Sequence, residues 1–181
     1  MSPSLDLNFV RDQFPAFSEP SLNDFAHFEN AGGSFPCKQC VDALTKFYRT
    51  TKVQPYYGFA PSSEAGDLMS SARVRLSEWL NVTPDEVHFS TSTSQNSYVI
   101  YNAFREYLSS GDEIVVTNQD HEANIGVWTR LETAGIIVKT WEVNKDTAEL
   151  EIENLDAVLS DKTKFVAFTH CSNIVGSINP V

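Results

Sequence analysis

The stretch Glu113-Ile-Val-Val-Thr-Asn-Gln-Asp-His-Glu-Ala-Asn-Ile-Gly-Val-Trp128 decides the fold. Ile114-Val-Val116 is a continuous apolar run, as a strand covered on both faces requires. A polar segment follows, and the pattern then turns helical over Asn124–Ala134, with Gly135 as the C-terminal cap. A strand passing through a short polar loop into a helix is half of a βαβ unit. Ligands bind at the carboxyl ends of such strands. His121, flanked by Asp120 and Glu122, therefore stands at a ligand-binding edge, where an imidazole can stack on a flat group or move a proton.

The pattern repeats on the carboxyl side. Ile136–Val143 reads as a strand, Ile152–Leu159 as a helix and Lys164–Thr169 as a strand, with Phe165-Val-Ala-Phe168 again continuously apolar. On the amino side, Gly111-Asp112 turns into the strand Glu113–Thr117. Ser94–Leu108 is helical with Tyr101, Phe104 and Leu108 inward, and Val87-His-Phe89 is a short strand after the turn Thr83-Pro-Asp-Glu86. Strands and helices alternating at this rhythm predict an α/β fold with a mainly parallel sheet flanked by helices.

Further upstream the pattern is helical. Glu64–Leu80 carries an apolar stripe of Ala65, Leu68, Met69, Ala72, Leu76, Trp79 and Leu80. Pro36 opens an earlier helix at the favoured first position, with Cys40, Leu44, Phe47 and Tyr48 on one face. Between them Val53–Ser63, rich in Pro, Gly and aromatics, reads as a loop, either functional or a hydrophobic anchor. Phe25–Phe28 is a short extended run ending in the turn Asn30-Ala-Gly-Gly33, whose glycines permit positive φ and close approach of another group. Residues 1–20 form an arm, with Phe9, Phe14 and Phe17 to bury and Pro15 and Pro20 breaking any long helix. Residues 21–181 are read as one incomplete domain.

The composition narrows the class. The chain has 181 residues, 41% hydrophobic and 20% charged, as expected of a globular protein. A net charge of -11 argues against nucleic acid as a partner, since phosphate backbones require a basic face. No basic-then-apolar leader is visible, and no apolar run approaches the ~20 residues of a membrane span. Three cysteines without a secretion signal fit a reducing compartment, with the cytoplasm as the expected location.

Two other loops repeat the strand-then-helix logic of His121. Ser90-Thr-Ser-Thr-Ser-Gln-Asn96 places five hydroxyls and free amides at a helix N-terminus, a ready anion site. Capping alone, which needs only one hydroxyl, is the competing reading. His170-Cys-Ser-Asn-Ile-Val-Gly176 offers Ser172 and Asn173 as orienting groups, or is plain turn chemistry. Cys37-Lys-Gln-Cys40 at a helix start has the spacing of a redox dithiol or half a zinc site. No second Cys/His pair accompanies it, and two half-buried helix cysteines are the simpler reading. Dinucleotide, Walker-type and nucleophile-elbow motifs do not occur.

The chain resembles the class V aminotransferases, the pyridoxal-phosphate-dependent group that includes the cysteine desulfurases. The resemblance rests on Phe28-Glu-Asn-Ala-Gly-Gly33, Ala72-Arg73, Asp85-Glu-Val-His-Phe-Ser-Thr-Ser-Thr-Ser94, Gly111-Asp-Glu-Ile-Val-Val-Thr117, Asp120-His-Glu-Ala-Asn-Ile-Gly-Val-Trp128 and Ser172-Asn-Ile-Val-Gly-Ser-Ile178, in that order. It implies the large domain of a fold-type I transferase, pyridoxal 5'-phosphate as cofactor, an amino-acid substrate and a homodimer when full length. It further implies that Thr93 and Ser94 cradle the cofactor phosphate, that His121 stacks on the pyridine ring and that Asn173 bonds its phenolic oxygen. The turn Asn30-Ala31-Gly32 would lie near the substrate carboxylate. Ser92 stands where desulfurases usually carry glycine, and Gln95 where they often carry glutamate.

The resemblance places the lysine that holds the cofactor, and the acid that protonates it, after the Asn173–Gly176 loop. Lys38, Lys46, Lys139, Lys145, Lys162 and Lys164 do not stand in that context. The chain is therefore expected to be the N-terminal portion of a longer transferase or lyase, inactive by itself. The alternatives are a non-catalytic truncated or interaction protein on the same fold, and a Cys37/Cys40 redox or zinc protein on an unrelated α/β scaffold.

Overall fold

Helix α1 (Leu7–Asp12) starts where the Asp6 carboxylate accepts the Phe9 amide at 3.0 Å, an N-cap that satisfies one of the helix's orphan donors. A computed structural model describes residues 4–181. They divide into two units, with the boundary between His88 and Phe89.

In the first unit Pro15 and Pro20 do not merely end helix α1. Each opens a single 3-10 turn, Pro15–Ser18 and Pro20–Leu22. Helix α2 spans Lys38–Thr50 with Cys37 as its N-cap. Pro36 thus lies just outside the helix and not at its first position, because Cys37 is still extended at φ -73°, ψ 157°. Helix α3 runs from Ala60 to Leu80, four residues longer than its apolar stripe predicts. Pro61 falls in the first turn, where its missing N–H costs nothing, and the start is locked by Ser62. That buried hydroxyl donates to the Gln54 carbonyl and accepts the Tyr57 amide.

One expectation at the end of this unit is corrected. Val87–Phe89 forms no strand, since β-propensity without a partner ladder does not make one. The α3 stripe is largely uncovered among the described residues: Ala65 is buried, while Leu76 is 37% and Trp79 89% exposed. Amphipathic spacing marks a face to be buried but does not supply its cover.

The second unit is layered. Helix α4 (Thr93–Phe104) leads through a 3-10 turn to strand β1 (Glu113–Thr117), which is buried at all five positions. Helix α5 (Glu122–Thr129) continues as a 3-10 turn, Arg130–Ala134. It ends at Gly135 with φ 81°, the left-handed cap that favours glycine. Strand β2 (Ile137–Trp141), helix α6 (Ile152–Val158) and strand β3 (Thr163–Val166) follow. Both pairings are parallel in the order β2-β1-β3, with Ile114 opposite Val138 and Phe165.

Alternation along β1 builds two cores. Ile114 and Val116 face Trp128, Leu131 and Ile136 on one side of the sheet. Val115 faces Trp141 and Leu150 on the other, with Leu155 and Val158 of α6 packed against them. Trp128 anchors the first core, its ring centroid 4.8 Å from Phe165 in an edge-on arrangement. Tyr101 and Phe104 pack on the same indole, so the inward face expected of α4 is present. Among the described residues, no helix is long and apolar enough to cross a membrane.

At the amino end of β1, Glu113 meets Lys139 of β2 at 2.6 Å and accepts the Ser160 hydroxyl at 2.6 Å. The Lys139 hydrogen bond, then that of Ser160, holds the Glu113 carboxyl below the ordinary carboxylate range. A carboxyl lowered in the folded state stabilises above its unfolded value, and that contribution is lost as pH falls through the lowered one. The thermal midpoint of the native chain should therefore fall on acidification below about pH 4.3, and Glu113→Gln should flatten this limb while lowering the midpoint at neutral pH. Trp128→Ala should cost about 3–5 kcal/mol in urea unfolding. A loss below 1 kcal/mol would show that the first core does not depend on the indole.

Candidate functional site

The hydroxyl-rich run divides its labour. Ser92 is the N-cap of α4, its Oγ accepting the Gln95 amide at 3.2 Å, and Ser90 Oγ donates to the Ser92 carbonyl. Thr93 and Ser94 form the first turn, where backbone amides have no intrahelical acceptor. Capping thus accounts for Ser92, while Thr93 and Ser94 present donors at the positive end of a three-turn helix.

At the carboxyl end of β1, Asp120 and His121 separate in role. Asp120 is buried and accepts three hydrogen bonds: Thr117 Oγ1 at 2.5 Å, Asn124 Nδ2 at 2.7 Å and the Thr169 amide at 3.1 Å. It pins the ends of β1, α5 and the segment after β3 to one another. His121 does not bond to either acidic neighbour. Its Nδ1 accepts the Ala123 amide at 3.0 Å, making it the N-cap of α5. Helix α5 accordingly begins at Glu122, two residues before its apolar pattern. An accepting Nδ1 leaves Nε2 as the ring nitrogen that carries the proton in the neutral form, and the cap restrains the exposed ring.

The third loop is held by Gln119 and Asn179. Asn179 Nδ2 donates to Gln119 Oε1 at 2.8 Å and to the Thr169 carbonyl at 2.7 Å. Ser172 Oγ donates to the Gln119 carbonyl at 3.3 Å and accepts the Ile174 and Val175 amides, turning the chain around Asn173. Ser172 is thus a buried structural group.

These three loops enclose a cavity of about 570 Å³ lined by Ser92, Thr93, Ser94, Asp120, His121 and Asn173, with Ala123, Asn124, Thr169 and Cys171 completing the wall. It lies beyond the carboxyl ends of β1 and β3, strands adjacent in the sheet but not consecutive in the chain. Two helix N-termini reach it, and its one carboxylate is engaged by three donors, so it favours an anionic group. Its size suits a small cofactor or metabolite. Thr93, Ser94, His121 and Asn173, singled out by sequence reasoning, line this one cavity. That reasoning misses Asp120 as the tie between loops, as well as Asn124, Thr169 and Cys171; the four-residue spacing of Asp120 and Asn124 on a helix start is the available signal.

Asn30, Ala31 and Gly32 belong to the first unit. There the Glu29 carboxylate accepts the Gly32 amide at 3.0 Å and Ser34 Oγ donates to Asn30 Oδ1 at 3.3 Å. Gly32 and Gly33 do not use the positive φ that glycine permits. Gly32 is instead covered by the Glu29 side chain, which a Cβ would displace. Lys139 is committed to Glu113, and no lysine lines the cavity. Among the described residues, no group of three or more His, Cys, Asp or Glu could hold a metal ion.

Residues 26–181 match the family described as Aminotransferase class-V, and the chain belongs to it. The chain is 31% identical to an aminotransferase-like protein, FGM3, of Gibberella zeae over 99% of its own length and 45% of the relative's. It is 28% identical to a cysteine desulfurase of Yersinia pseudotuberculosis over 98% of its length and 45% of that protein. The chain thus spans less than half the length of these curated relatives. Its fold is that of the apo cysteine desulfurase of Thermococcus onnurineus NA1, with a TM-score of 0.83 at 22% identity, covering 98% of this chain and 43% of that one.

Asp120→Asn keeps the size of the tie but gives up one acceptor to a donor. It should cost about 1–3 kcal/mol in equilibrium unfolding, as a buried donor is left unpaired. Amide exchange at Thr169 should accelerate at the same time. Unchanged stability and unchanged exchange would remove Asp120 from this role.

Proposed function

We propose that this chain forms part of a pyridoxal 5'-phosphate-dependent enzyme that acts on an amino-acid substrate as a transferase or lyase. The observation that carries the reading is the convergence of the α4 N-terminus, His121 and Asn173 on one cavity. The residues fit the cofactor's chemistry: donors for a phosphate, a restrained flat ring for a pyridine and an amide side chain for a phenolic oxygen. When bound, pyridoxal phosphate acts as an electron sink for bond cleavage at the amino-acid α-carbon.

The amides and hydroxyls of Thr93 and Ser94 hold the phosphate, aided by the α4 dipole. His121 offers its ring face, with orientation maintained by the Ala123 amide. Asn173 orients the cofactor through its side chain. Asp120 restrains its neighbours through the three hydrogen bonds its carboxylate accepts. Asn30, Ala31 and Gly32 are assigned to the substrate carboxylate on the family resemblance. Residues 21–181 are assigned on the same ground to the cofactor-binding large domain. The covalent attachment is not assigned to any lysine of this chain.

Pyridoxal 5'-phosphate should quench the tryptophan fluorescence of the chain saturably, in competition with inorganic phosphate, and pyridoxal without phosphate should bind more weakly. His121→Ala should weaken binding about tenfold, equivalent to 1.4 kcal/mol. His121→Phe, which keeps a flat face, should retain more of it. Equal affinity for pyridoxal and its phosphate, together with no effect of His121→Ala, would refute the assignment.

A further inference from the structure

Outside the cavity, the first turn of α2 holds a second cluster of reactive groups. Cys37 is the N-cap and Cys40 lies in the first turn. Their sulfurs are hydrogen-bonded at 3.5 Å. Residues three apart share one face of a helix, and closure to a disulfide at about 2.05 Å requires the sulfurs to approach by about 1.5 Å. Cys40 is exposed and Cys37 half-buried, so a small reagent can reach the pair. The two residues between the cysteines are held from outside the helix. The Lys38 amide donates to the Gln13 carbonyl at 2.8 Å, and Gln39 Nε2 donates to Gln13 Oε1 at 2.9 Å.

We propose that Cys37 and Cys40 form a thiol–disulfide exchange site for low-molecular-weight disulfides of the glutathione type, with Cys37 as the attacking and Cys40 as the resolving sulfur. The site is independent of the pyridoxal reading and shares no residue with it. A zinc site would need further ligands, and none stands nearby among the described residues.

The chemistry balances without another reagent. Cys37, as thiolate, attacks one sulfur of RS–SR; the S–S bond breaks, a Cys37–S–S–R bond forms and RS⁻ leaves with the electron pair. Cys40 then loses its proton and attacks Cys37 Sγ, forming the Cys37–Cys40 bond and expelling the second RS⁻. The two released thiolates take up the two protons given up by the cysteines. The protein dithiol is oxidised by two electrons and one RS–SR is reduced to two RSH.

The assignment of roles follows from the environment. The backbone amide of Cys40, and then its thiol, favour the thiolate at Cys37 and bring its pKa below the ordinary value. The Cys37 sulfur raises the pKa of Cys40, so it is the poorer nucleophile until the mixed disulfide has formed. Cys171 belongs to the second unit, which holds no other cysteine.

The chain is incubated at neutral pH with excess oxidised glutathione and digested for peptide mapping, folded and in urea. The folded chain should lose both α2 thiols to an internal Cys37–Cys40 disulfide, several-fold faster than the urea-unfolded chain. Cys40→Ser should trap one glutathione on Cys37, Cys37→Ser should react several-fold more slowly at Cys40, and Cys171→Ser should behave as the native chain. Stable adducts on both cysteines without the internal bond, or closure no faster folded than unfolded, would overturn the proposal. The native chain carries the test on its own if a serine variant fails to fold.

Discussion

The Asp120 carboxylate joins parts of the chain that would otherwise diverge. One oxygen takes the Asn124 side chain on the first turn of α5, and the other takes the Thr117 hydroxyl at the end of β1 and the Thr169 amide beyond β3. A buried carboxylate is tolerated only when its charge is met by donors, and here the donors come from three different elements. Meeting that requirement draws the loops after β1 and β3 together. His121 and Asn173 then line one cavity because their loops have nowhere else to go.

The sheet gives this tie its setting. β1 is buried from end to end, so its alternation must satisfy two cores at once, Ile114 and Val116 on one face and Val115 on the other. Helices α4 and α5 cover the first face, and α6 contributes to the second. Parallel strands send their carboxyl ends to one edge, and the helices that follow start there. The N-terminus of α5 reaches the cavity for that reason, while that of α4, which follows no strand among the described residues, lines it from the helix that precedes β1. Two helix N-termini at one cavity favour an anionic group.

Much of this is legible in residue order. The run Ile114–Val116 announces a doubly covered strand and Phe165–Phe168 a second, of which only Phe165 and Val166 lie in β3; Gly135 announces a left-handed helix end, and the Ser90–Asn96 run announces an amide-rich helix start. Local capping is less legible. Pro36 suggests a first helical position, yet the cap is Cys37, and His121 stands between two acids in the sequence, yet it caps its own helix through Ala123. At His121 several side chains could satisfy the same orphan donors, and only backbone geometry selects among them; Cys37 is the cap by its extended backbone, with no side-chain hydrogen bond to the helix. The α3 stripe shows the converse: its apolar face is plain in the sequence, but most of it lacks cover among the described residues.

Sequence by itself determined the class of fold and the family, and singled out Thr93, Ser94, His121 and Asn173 in polar loops beside helix starts, because hydrophobic period and loop chemistry are local properties. Tertiary structure decided that these residues share one cavity, that Asp120 serves the architecture and that Cys37 and Cys40 bring their sulfurs together. Asp120 meets Thr169 across 49 positions of sequence, and Asn179 meets Gln119 across 60. Such pairings have no local signature, since a side chain's distant partner is set by how the strands line up and not by its neighbours in the chain.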